Sequence, residues 1–161
     1  MLDPEPGAGA PDITIHLVDP ACASLLDRVD DDVFDHAVRP ELLREFLESS
    51  SNVLVVAVAE GLVVGMATGI AYVHPDKPLS LFINEVGVSA RHRQRGIGRR
   101  LVVAVLEWAC ARGCVEAWVA TEGGNIAARS LYLSTGAVQD EEPAVVYVYP
   151  LSQGSRRENL P

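Results

Sequence analysis

Hydrophobic residues along the first half of the chain recur with the period of β-strands. Residues 13–18 (ITIHLV) are β-branched and alternate, whereas residues 53–59 (VLVVAVA) form an unbroken apolar run typical of a buried strand. Glu60-Gly61 is a turn signal, so the next apolar segment is expected to return as a hairpin partner. A loop is predicted at residues 74–78. Four strands are therefore predicted, at residues 13–18, 53–59, 62–72 and 79–88.

Two helices are predicted between the first and second strands. Asp19 can cap a short helix that begins with Pro20 and continues over residues 21–29. Residues 30–38 (DDDVFDHAV) are acidic and irregular. Pro40 begins the second helix, in which apolar side chains recur on one face. Those core-facing positions are Leu42, Leu43, Phe46 and Leu47.

The second half of the chain alternates between helix and strand. A long amphipathic helix is predicted over residues 96–112, with Gly113 just past its end. A strand follows at residues 115–121, a second helix at 125–135 and a last strand at 145–151.

The order of these elements, without an internal repeat, predicts one α/β domain over residues 12–151. Residues 1–11 and 152–161 are expected to be flexible tails. The N-terminal stretch lacks the basic and apolar regions of a signal peptide, and no apolar run reaches the ~20 residues that span a bilayer. The three cysteines are an odd, sparse set, as in a reducing compartment. These features predict a cytoplasmic protein that does not act at a membrane.

Charge narrows the classes of partner. The net charge is −9 over 161 residues, and nucleic-acid binding usually needs a basic face, so no nucleic-acid partner is expected. A cationic partner is favoured, although a solvated acidic surface explains the same charge without any function. Cys110 and Cys114 have the spacing of half a metal site, but no second pair follows and the four histidines are scattered. No metal site is therefore predicted.

One basic segment interrupts this acidic chain. Residues 91–100 (RHRQRGIGRR) hold five arginines and no carboxylate, where the fourth strand ends and the long helix begins. A helix N-terminus offers unpaired N–H groups to an anion, and glycines let a phosphate approach the backbone. Arginine follows Gly98 where a Walker loop needs lysine, and Leu101 stands where a dinucleotide fingerprint needs glycine. A solvated basic turn remains as the alternative.

Residues 93–98 (RQRGIG), preceded by a strand end at 85–88 (EVGV) that has the pattern of a bulge, resemble the pyrophosphate-binding signature of the GNAT superfamily of N-acetyltransferases. A second signature of that family opens the next helix, at residues 125–137 (NIAARSLYLSTGA). The resemblance covers residues 12–151 and implies acetyl-CoA as cofactor. It also implies a mixed, mostly antiparallel sheet that is splayed between strands four and five and flanked by about four helices.

The resemblance further implies how the cofactor is held. The backbone of residues 86–88 is expected to pair with the pantetheine arm like an added strand. The amides of residues 94–99 are expected to hold the pyrophosphate, helped by the charge of the arginines around them. Asn125 is expected to contact the pantetheine. The implied cofactor-binding residues are Val86, Gly87, Val88, Arg93, Gln94, Arg95, Gly96, Ile97, Gly98, Arg99, Asn125, Ala128 and Tyr132.

Acetyl transfer to nitrogen requires a neutral amine, because an ammonium has no lone pair. With a pKa of ~10.4, only ~0.1% of an alkyl amine is neutral near pH 7.4, which adds about 4 kcal/mol to the barrier. Glu85, at the end of the fourth strand, is the candidate base that accepts the proton. Its alternative role is to pair with an arginine or a substrate ammonium. Tyr132 is the candidate acid for the leaving thiolate, and its alternative role is that of a core aromatic.

The acceptor is expected to be a cationic small molecule. Residues 19–36 hold six carboxylates against one arginine, and residues 140–142 form a second acidic cluster. Such runs are more often solvated faces than pockets, but two of them at the edge where this family binds acceptors, together with Glu85, favour a polycation. The expected substrate-binding residues are Asp32, Asp35, His36, Glu85, Asp140, Glu141 and Glu142.

Residues 33–75 and 83–102 resemble aminoglycoside 3-N-acetyltransferases of the GNAT type. The resemblance implies the 3-amino group of an aminoglycoside antibiotic as the target, and hence a resistance enzyme. That pattern has aspartate in place of Glu85, which would carry a base one methylene farther out. Two alternatives remain: an N-acetyltransferase of a protein N-terminus, lysine or polyamine, and a non-catalytic acyl-CoA-binding sensor. A homodimer is also implied, because many members of the superfamily dimerise.

Overall fold

The computed structural model describes residues 12–142 and 144–151, and a five-stranded sheet in the order β1-β2-β3-β4-β5 forms its centre. Neighbouring strands are antiparallel except for β4 and β5, which are parallel. The sheet is therefore mixed and mostly antiparallel, as expected. The strands are β1 (Ile13–Leu17), β2 (Asn52–Ala59), β3 (Leu62–His74), β4 (Lys77–Val88) and β5 (Glu116–Trp118).

Helices follow the predicted order, although the first is a 3₁₀ helix. Asp19 caps it as predicted, since its Oδ1 accepts hydrogen bonds from the amides of Ala21 and Cys22 at 2.8 and 3.0 Å. No helix in the described part of the chain is long and apolar enough to cross a membrane. The α-helices are α1 (Pro40–Glu48), α2 (Ile97–Ala111) and α3 (Ile126–Ser134), and the 3₁₀ helices are Pro20–Asp27 and Ala90–His92.

Two hydrophobic clusters lie on opposite faces of the sheet. On one face, which we call the α2 face, Leu101 and other side chains of α2 pack against β2, β3 and β4, with Leu81 among them. On the other, which we call the loop face, the first 3₁₀ helix, residues 30–38 and α1 pack against side chains that include Val56 and Met66. Both faces of β2 are thus buried, which explains its unbroken apolar sequence.

A bulge in β4 changes which side chains face which cluster. Ile83 and Glu85 pair with consecutive residues of β3, so Asn84 between them has no partner there. Ile83 packs on the α2 face. In a regular strand Glu85 would share that face, because side chains two residues apart point the same way. The bulge instead places Glu85 on the loop face with Gly87, whose missing Cβ would point at Val33.

The sheet is splayed between β4 and β5, as the resemblance implied. The two strands pair only where Ser80, Leu81 and Phe82 meet the three residues of β5. β4 then continues to Val88, and residues 83–88 have no strand beside them on the β5 side within the described chain. The result is an opening between the two strands, lined by free backbone of β4.

Two predicted boundaries differ from the structure. The loop expected at residues 74–78 is a tight turn at Pro75-Asp76, because β3 continues to His74 and β4 begins at Lys77. β5 is shorter than the predicted strand at 115–121, since it has a hydrogen-bonding partner over three residues only.

The prediction of a last strand at residues 145–151 is wrong. These residues form no strand in the structure, and their apolar side chains are exposed, as Val148 is to 84%. An apolar, β-branched sequence favours a strand, but strand formation also needs a hydrogen-bonding neighbour. Leu42 was also expected in the core and is half exposed, whereas Leu43, Phe46 and Leu47 pack on the loop face. The expected tails lie outside the described residues.

Candidate active site

The turn between β4 and α2 leaves helix N–H groups free for a ligand. Gln94 and Gly96 have positive φ angles, 60° and 73°, and no side chain of the described chain caps α2 at Gly96. The first helical hydrogen bond runs from the Arg100 amide to the Gly96 carbonyl, at 3.1 Å. The amides of residues 97–99 therefore point outward from the helix start without a helical partner. This geometry suits a phosphate.

The arginines of the turn are held in different directions. Arg93 donates from Nε to the carbonyl of Val88 at 3.0 Å, which ties the turn back to β4. Arg91 and Arg95 line a cavity of about 380 Å³ beside the β2–β3 turn. Arg99 lies along a groove between α2 and β1. The positive charge predicted for pyrophosphate binding thus surrounds the turn on several sides rather than converging from one.

Two aspartates connect the acidic loop to the beginning of this turn. The buried Asp30 carboxylate accepts hydrogen bonds from Ser89 Oγ and from the Arg91 guanidinium, both at 2.6 Å. These two contacts, Ser89 first, lower the pKa of Asp30. The Asp32 carboxylate accepts from the Ala90 amide at 2.7 Å, which lowers the pKa of Asp32. One oxygen of Asp32, predicted to bind substrate, is therefore used within the protein.

The acidic loop crosses β4 at Gly87. A Cβ added there would lie 2.3 Å from the carbonyl oxygen of Val33, closer than any side chain permits. Gly87 was predicted to bind the cofactor through its backbone, and the structure gives it this second role. The close crossing carries Asp35, two residues farther along the loop, into the neighbourhood of Glu85.

Glu85 is half-buried on the loop face, and Thr68 is its partner on β3. The Thr68 hydroxyl is buried and has no hydrogen-bond partner among the described residues. Burial, followed by the negative charge of Asp35, raises the pKa of Glu85. A carboxyl group with a raised pKa is suited to accepting and releasing a proton. Two residues predicted from the sequence, Glu85 and Asp35, thus interact through their charges, and the structure adds Thr68 as the sheet partner of Glu85.

The other predicted acceptor residues lie on the surface. His36 is exposed beside Asp35, and residues 140–142 are exposed as well. The Glu142 amide donates to Asp140 Oδ1 at 3.2 Å, and no hydrogen bond or ion pair among the described residues joins this cluster to Glu85. Their role in binding a substrate stays a prediction.

Tyr132 lies on the opposite side of the sheet from Glu85. Helix α3 begins at the cap residue Asn125, whose Oδ1 accepts from the Ala128 amide at 3.1 Å. Tyr132, farther along α3, packs half-buried against the cluster on the α2 face. Burial raises the pKa of Tyr132, so its phenol keeps the proton at neutral pH. Asn125 and Ala128 thus have structural roles in placing Tyr132.

The acetyltransferase (GNAT) family model matches residues 21–137 of the chain. The chain belongs to the GNAT acetyltransferase family. Members of this family use acetyl-CoA, and the site fits that molecule in two respects. The free amides of residues 97–99 suit its pyrophosphate, and the unpaired edge of β4 at residues 83–88 suits an extended arm.

Two curated relatives resemble part of this GNAT chain. L-2,4-diaminobutyric acid acetyltransferase of Wolinella succinogenes is 33% identical over 95 residues, which cover 58% of the chain and 51% of the relative. N-acetyltransferase family 8 member 3 of Mus musculus is 30% identical over 116 residues, which cover 70% of the chain and 50% of the relative. The chain therefore spans about half the length of the curated relatives it matches.

Solved structures with the same fold include aminoglycoside acetyltransferases. The acetyltransferase meta-AAC0020, from an uncultured soil metagenomic sample and in complex with trehalose, aligns with a TM-score of 0.72 at 20% identity, over 86% of this chain and 96% of that one. AAC(6')-Iy in complex with a bisubstrate analogue aligns with a TM-score of 0.71 at 20% identity, over 86% and 99%. At this identity the likeness shows the GNAT fold.

Three residues of the site were not predicted from the sequence. Asp30 looked like one more member of an acidic run, although its burial sets it apart. Thr68 could not be assigned to the site, because its place opposite Glu85 depends on the register between two strands. Asn84 was missed because the bulge was expected one step later, at residues 85–88, and no residue type marks its exact position.

Proposed function

We propose that this protein transfers the acetyl group of acetyl-CoA directly to an amine of a polycationic small molecule, and that this molecule is an aminoglycoside antibiotic. The observation that carries the proposal is the pair of Glu85 and Asp35 beside the opening in the sheet. Glu85 has a raised pKa, half-buried surroundings and an unpartnered hydroxyl, that of Thr68, across from it. An amine that must lose a proton would meet a base and a counter-charge at one place.

Acetyl-CoA supplies a reactive thioester at this site. The amides of residues 97–99 would hold its pyrophosphate, and the backbone of residues 86–88 would pair with its pantetheine arm. Asn125 uses Oδ1 to cap α3, which leaves its amide nitrogen as the group that would donate to the pantetheine. The helix amides would be the principal contacts of the cofactor.

Two protons leave the acceptor nitrogen and one reaches the sulfur, and the two groups proposed to move them lie on opposite faces of the sheet. Glu85, on the loop face, would take the first proton, that of the acceptor ammonium, onto its carboxylate. Tyr132, on the α2 face, would give its phenolic proton to the leaving sulfur and be restored by the second proton, which the nitrogen loses as the tetrahedral adduct becomes the amide. The opening between β4 and β5 joins the two faces, so the acceptor and the thioester would meet there from opposite sides.

The aminoglycoside proposal rests on charge and on the resemblance described above. The chain has a net charge of −9, and the loop next to Glu85 is its most acidic part. Which amine of the aminoglycoside is acetylated is a separate question. The resemblance favours the 3-amine, whereas AAC(6')-Iy among the solved structures bears the name of a 6'-acting enzyme. We propose the 3-amine, and the position of the acetyl group in the product tests this.

A second acceptor class is favoured by one observation. Two carboxylates whose charges act on one another, Glu85 and Asp35, suit a short molecule with two amines, and the relative from Wolinella succinogenes is named for L-2,4-diaminobutyric acid. The other alternative is a non-catalytic acyl-CoA sensor. Such a protein would need neither a raised pKa at Glu85 nor a protonated Tyr132, so both features favour an enzyme.

A panel assay tests these proposals together. Protein and acetyl-CoA are mixed with gentamicin-like aminoglycosides, 2,4-diaminobutyrate, a linear polyamine and a peptide with a free N-terminus, and free thiol is followed with time. We expect thiol release with aminoglycosides and a product with one acetyl group, found at the 3-amine by NMR. Thiol release with the peptide or the small amines alone would overturn the aminoglycoside proposal, and none with any amine would favour the sensor.

The matched pair Glu85→Gln and Glu45→Gln tests the base. Glu45 is exposed on α1, and Glu45→Gln removes one negative charge, as Glu85→Gln does. We expect Glu85→Gln to lower the rate most at low pH, where the acceptor is mostly protonated, and Glu45→Gln to leave the profile unchanged. A Glu85→Gln variant that raises only the Michaelis constant would make Glu85 a substrate anchor.

A further inference from the structure

An aromatic cluster extends from the Glu85 site along the loop face. Thr68, Ile70 and Tyr72 alternate along β3, so their side chains lie on the same face of the sheet. Phe82 of β4 pairs with Ile70 of β3 on one side and with Trp118 of β5 on the other. Partners in register share a face. The rings of Tyr72, Phe82 and Trp118 therefore lie on the face that carries Glu85, at the other side of the Asn84 bulge.

The three rings hold one another in place. Phe82 and Trp118 have centroids 4.4 Å apart with an interplanar angle of 32°. The Trp118 indole donates from Nε1 to the Tyr72 hydroxyl at 2.8 Å. The indole N–H is thus already satisfied, and what the cluster offers to a ligand is ring surface. Trp118 is 44% exposed and Tyr72 38% exposed, which is unusual for rings fixed by packing and hydrogen bonding.

We propose that Tyr72, Phe82 and Trp118 form an aromatic platform for the body of the acceptor, while Glu85 receives its reacting amine. This rests on the proposed function and specifies the acceptor as a polyamine built on saturated rings. One member of the platform, Phe82, lies on the same strand as the proposed base, Glu85. The platform is also fixed before any ligand binds, so little side-chain entropy is lost on binding.

The distance between Phe82 and Glu85 favours acceptors that are long enough to contact both. Phe82 and Glu85 are three residues apart, about 10 Å at ~3.3 Å per residue, and the bulge shortens this separation. An amine seated at Glu85 reaches the platform only if its body extends that far. In 2,4-diaminobutyrate the two nitrogens are roughly 5 Å apart, judged from bond lengths of about 1.5 Å. A short diamine can therefore use Glu85 and Asp35 but not the rings.

The chemistry of the platform selects for ring-bearing cations. The flat faces of indole and phenyl rings contact the C–H faces of saturated rings, and their negative π faces attract ammonium groups. Asp35 adds a negative charge at the Glu85 end. A molecule with several ammonium groups on linked saturated rings satisfies both ends at once, whereas a flat neutral amine satisfies only the platform.

Kinetics with two acceptors test this assignment. We expect Trp118→Ala to raise the Michaelis constant for an aminoglycoside about 3- to 10-fold, the equivalent of ~0.7–1.4 kcal/mol of ring contact, with little change in kcat. The constant for 2,4-diaminobutyrate should change less than about twofold, since that molecule does not reach the platform. Tyr72→Phe keeps the ring and removes one hydrogen bond, and should have the smaller effect of the two. Equal changes for both acceptors would overturn the platform.

Fluorescence tests binding independently of turnover and of whether Trp118→Ala folds. The chain has two tryptophans, so Trp108→Phe leaves Trp118 as the only indole. We expect titration with an aminoglycoside to change the Trp118 emission, with or without Glu85→Gln, and 2,4-diaminobutyrate to leave it unchanged. An unchanged emission with the aminoglycoside overturns the platform even if that compound is acetylated.

A changed emission without thiol release supports the platform and contradicts the proposed reaction. A response to the peptide alone overturns the assignment of a saturated-ring acceptor.

Discussion

The two faces of the sheet differ in how their parts of the site are assembled. On the α2 face, neighbours in the sequence make the candidate cofactor site: one turn supplies the helix amides, and one helix supplies Tyr132. On the loop face, Glu85 on β4 pairs with Thr68 on β3 and feels the charge of Asp35 on an irregular loop, residues that are far apart in the chain. A ligand site made of consecutive residues can keep its form while the rest of the protein varies.

The difference also separates the two substrates physically. The proposed cofactor site depends on backbone groups, which any sequence with the right conformation offers. The proposed acceptor site depends on side chains and on the position of one loop. Variants on the α2 face should therefore alter cofactor binding or chemistry, and variants on the loop face should alter the recognition of the amine.

Tyr132→Phe should have the largest effect on turnover. It removes the phenolic proton and keeps the ring in the cluster on the α2 face, so kcat should fall by roughly 10²–10⁴, the usual contribution of a positioned acid. Acetyl-CoA binding, measured as a rise in melting temperature, should be retained. A fall of less than about threefold would return Tyr132 to the role of a core aromatic.

Gly98→Val should abolish the stabilisation that acetyl-CoA gives to the wild type, about 2.7 kcal/mol at a hundredfold excess over Kd. A Cβ at Gly98 would lie 3.2 Å from Leu131 Cδ2, and a larger side chain would also cover the amides at the helix start. Thermal melts with and without acetyl-CoA measure this. Gly123→Val is the control, because a Cβ at Gly123 meets nothing within 4 Å. Normal binding by Gly98→Val would contradict the assignment of the turn.

Gly87→Ala should produce the opposite pattern from Gly98→Val. The added Cβ meets a backbone oxygen, that of Val33, which cannot rotate away as a side chain can. The loop must move, at a cost of about 1–3 kcal/mol in the free energy of unfolding. The Michaelis constant for the amine should rise more than that for acetyl-CoA, measured by steady-state kinetics. If both constants rise equally, the two faces are not separate in function.

Asp35→Asn should give the smallest effect, a shift in pH dependence. Asp35 is a negative charge that raises the pKa of Glu85, so its removal should lower that pKa. The base form of Glu85 then persists to lower pH, and the acidic limb of kcat/KM moves to lower pH. The acceptor's own ionisation is the same for both proteins and cancels in the comparison. A limb that stays in place would show that Asp35 does not act on Glu85.

The contrast between the faces also explains what the sequence could predict. The splayed sheet and the turn at residues 91–100 were predictable, because motif, helix start and glycine positions lie within a short segment. Glu85 was found because it precedes that segment. Its partner Thr68 and the platform residue Trp118 were not predicted from the sequence, since pairing across strands depends on register. A bulge was expected at residues 85–88, whereas the register of β4 changes just before them, at Asn84.

The predicted last strand shows the same dependence. Residues 145–151 have the composition of a strand, yet in the structure they have no pairing partner. Local composition is decisive where a single segment forms the whole feature, as in the capped helix at Asp19. It is not decisive where the feature is shared between segments.

The extra residue in β4 has a consequence for how this protein can evolve. Asn84 is exposed, and many substitutions there should be neutral. Loss of its codon should also be tolerated by the strand pairing, because Glu85 would then follow Ile83 directly and regular alternation would keep it opposite Thr68 on the loop face. What would change is the local bend and twist that a bulge gives its strand. In a library of single-codon deletions, loss of position 84 should therefore be tolerated better than loss of position 86 or 87, where a missing residue turns the later side chains over.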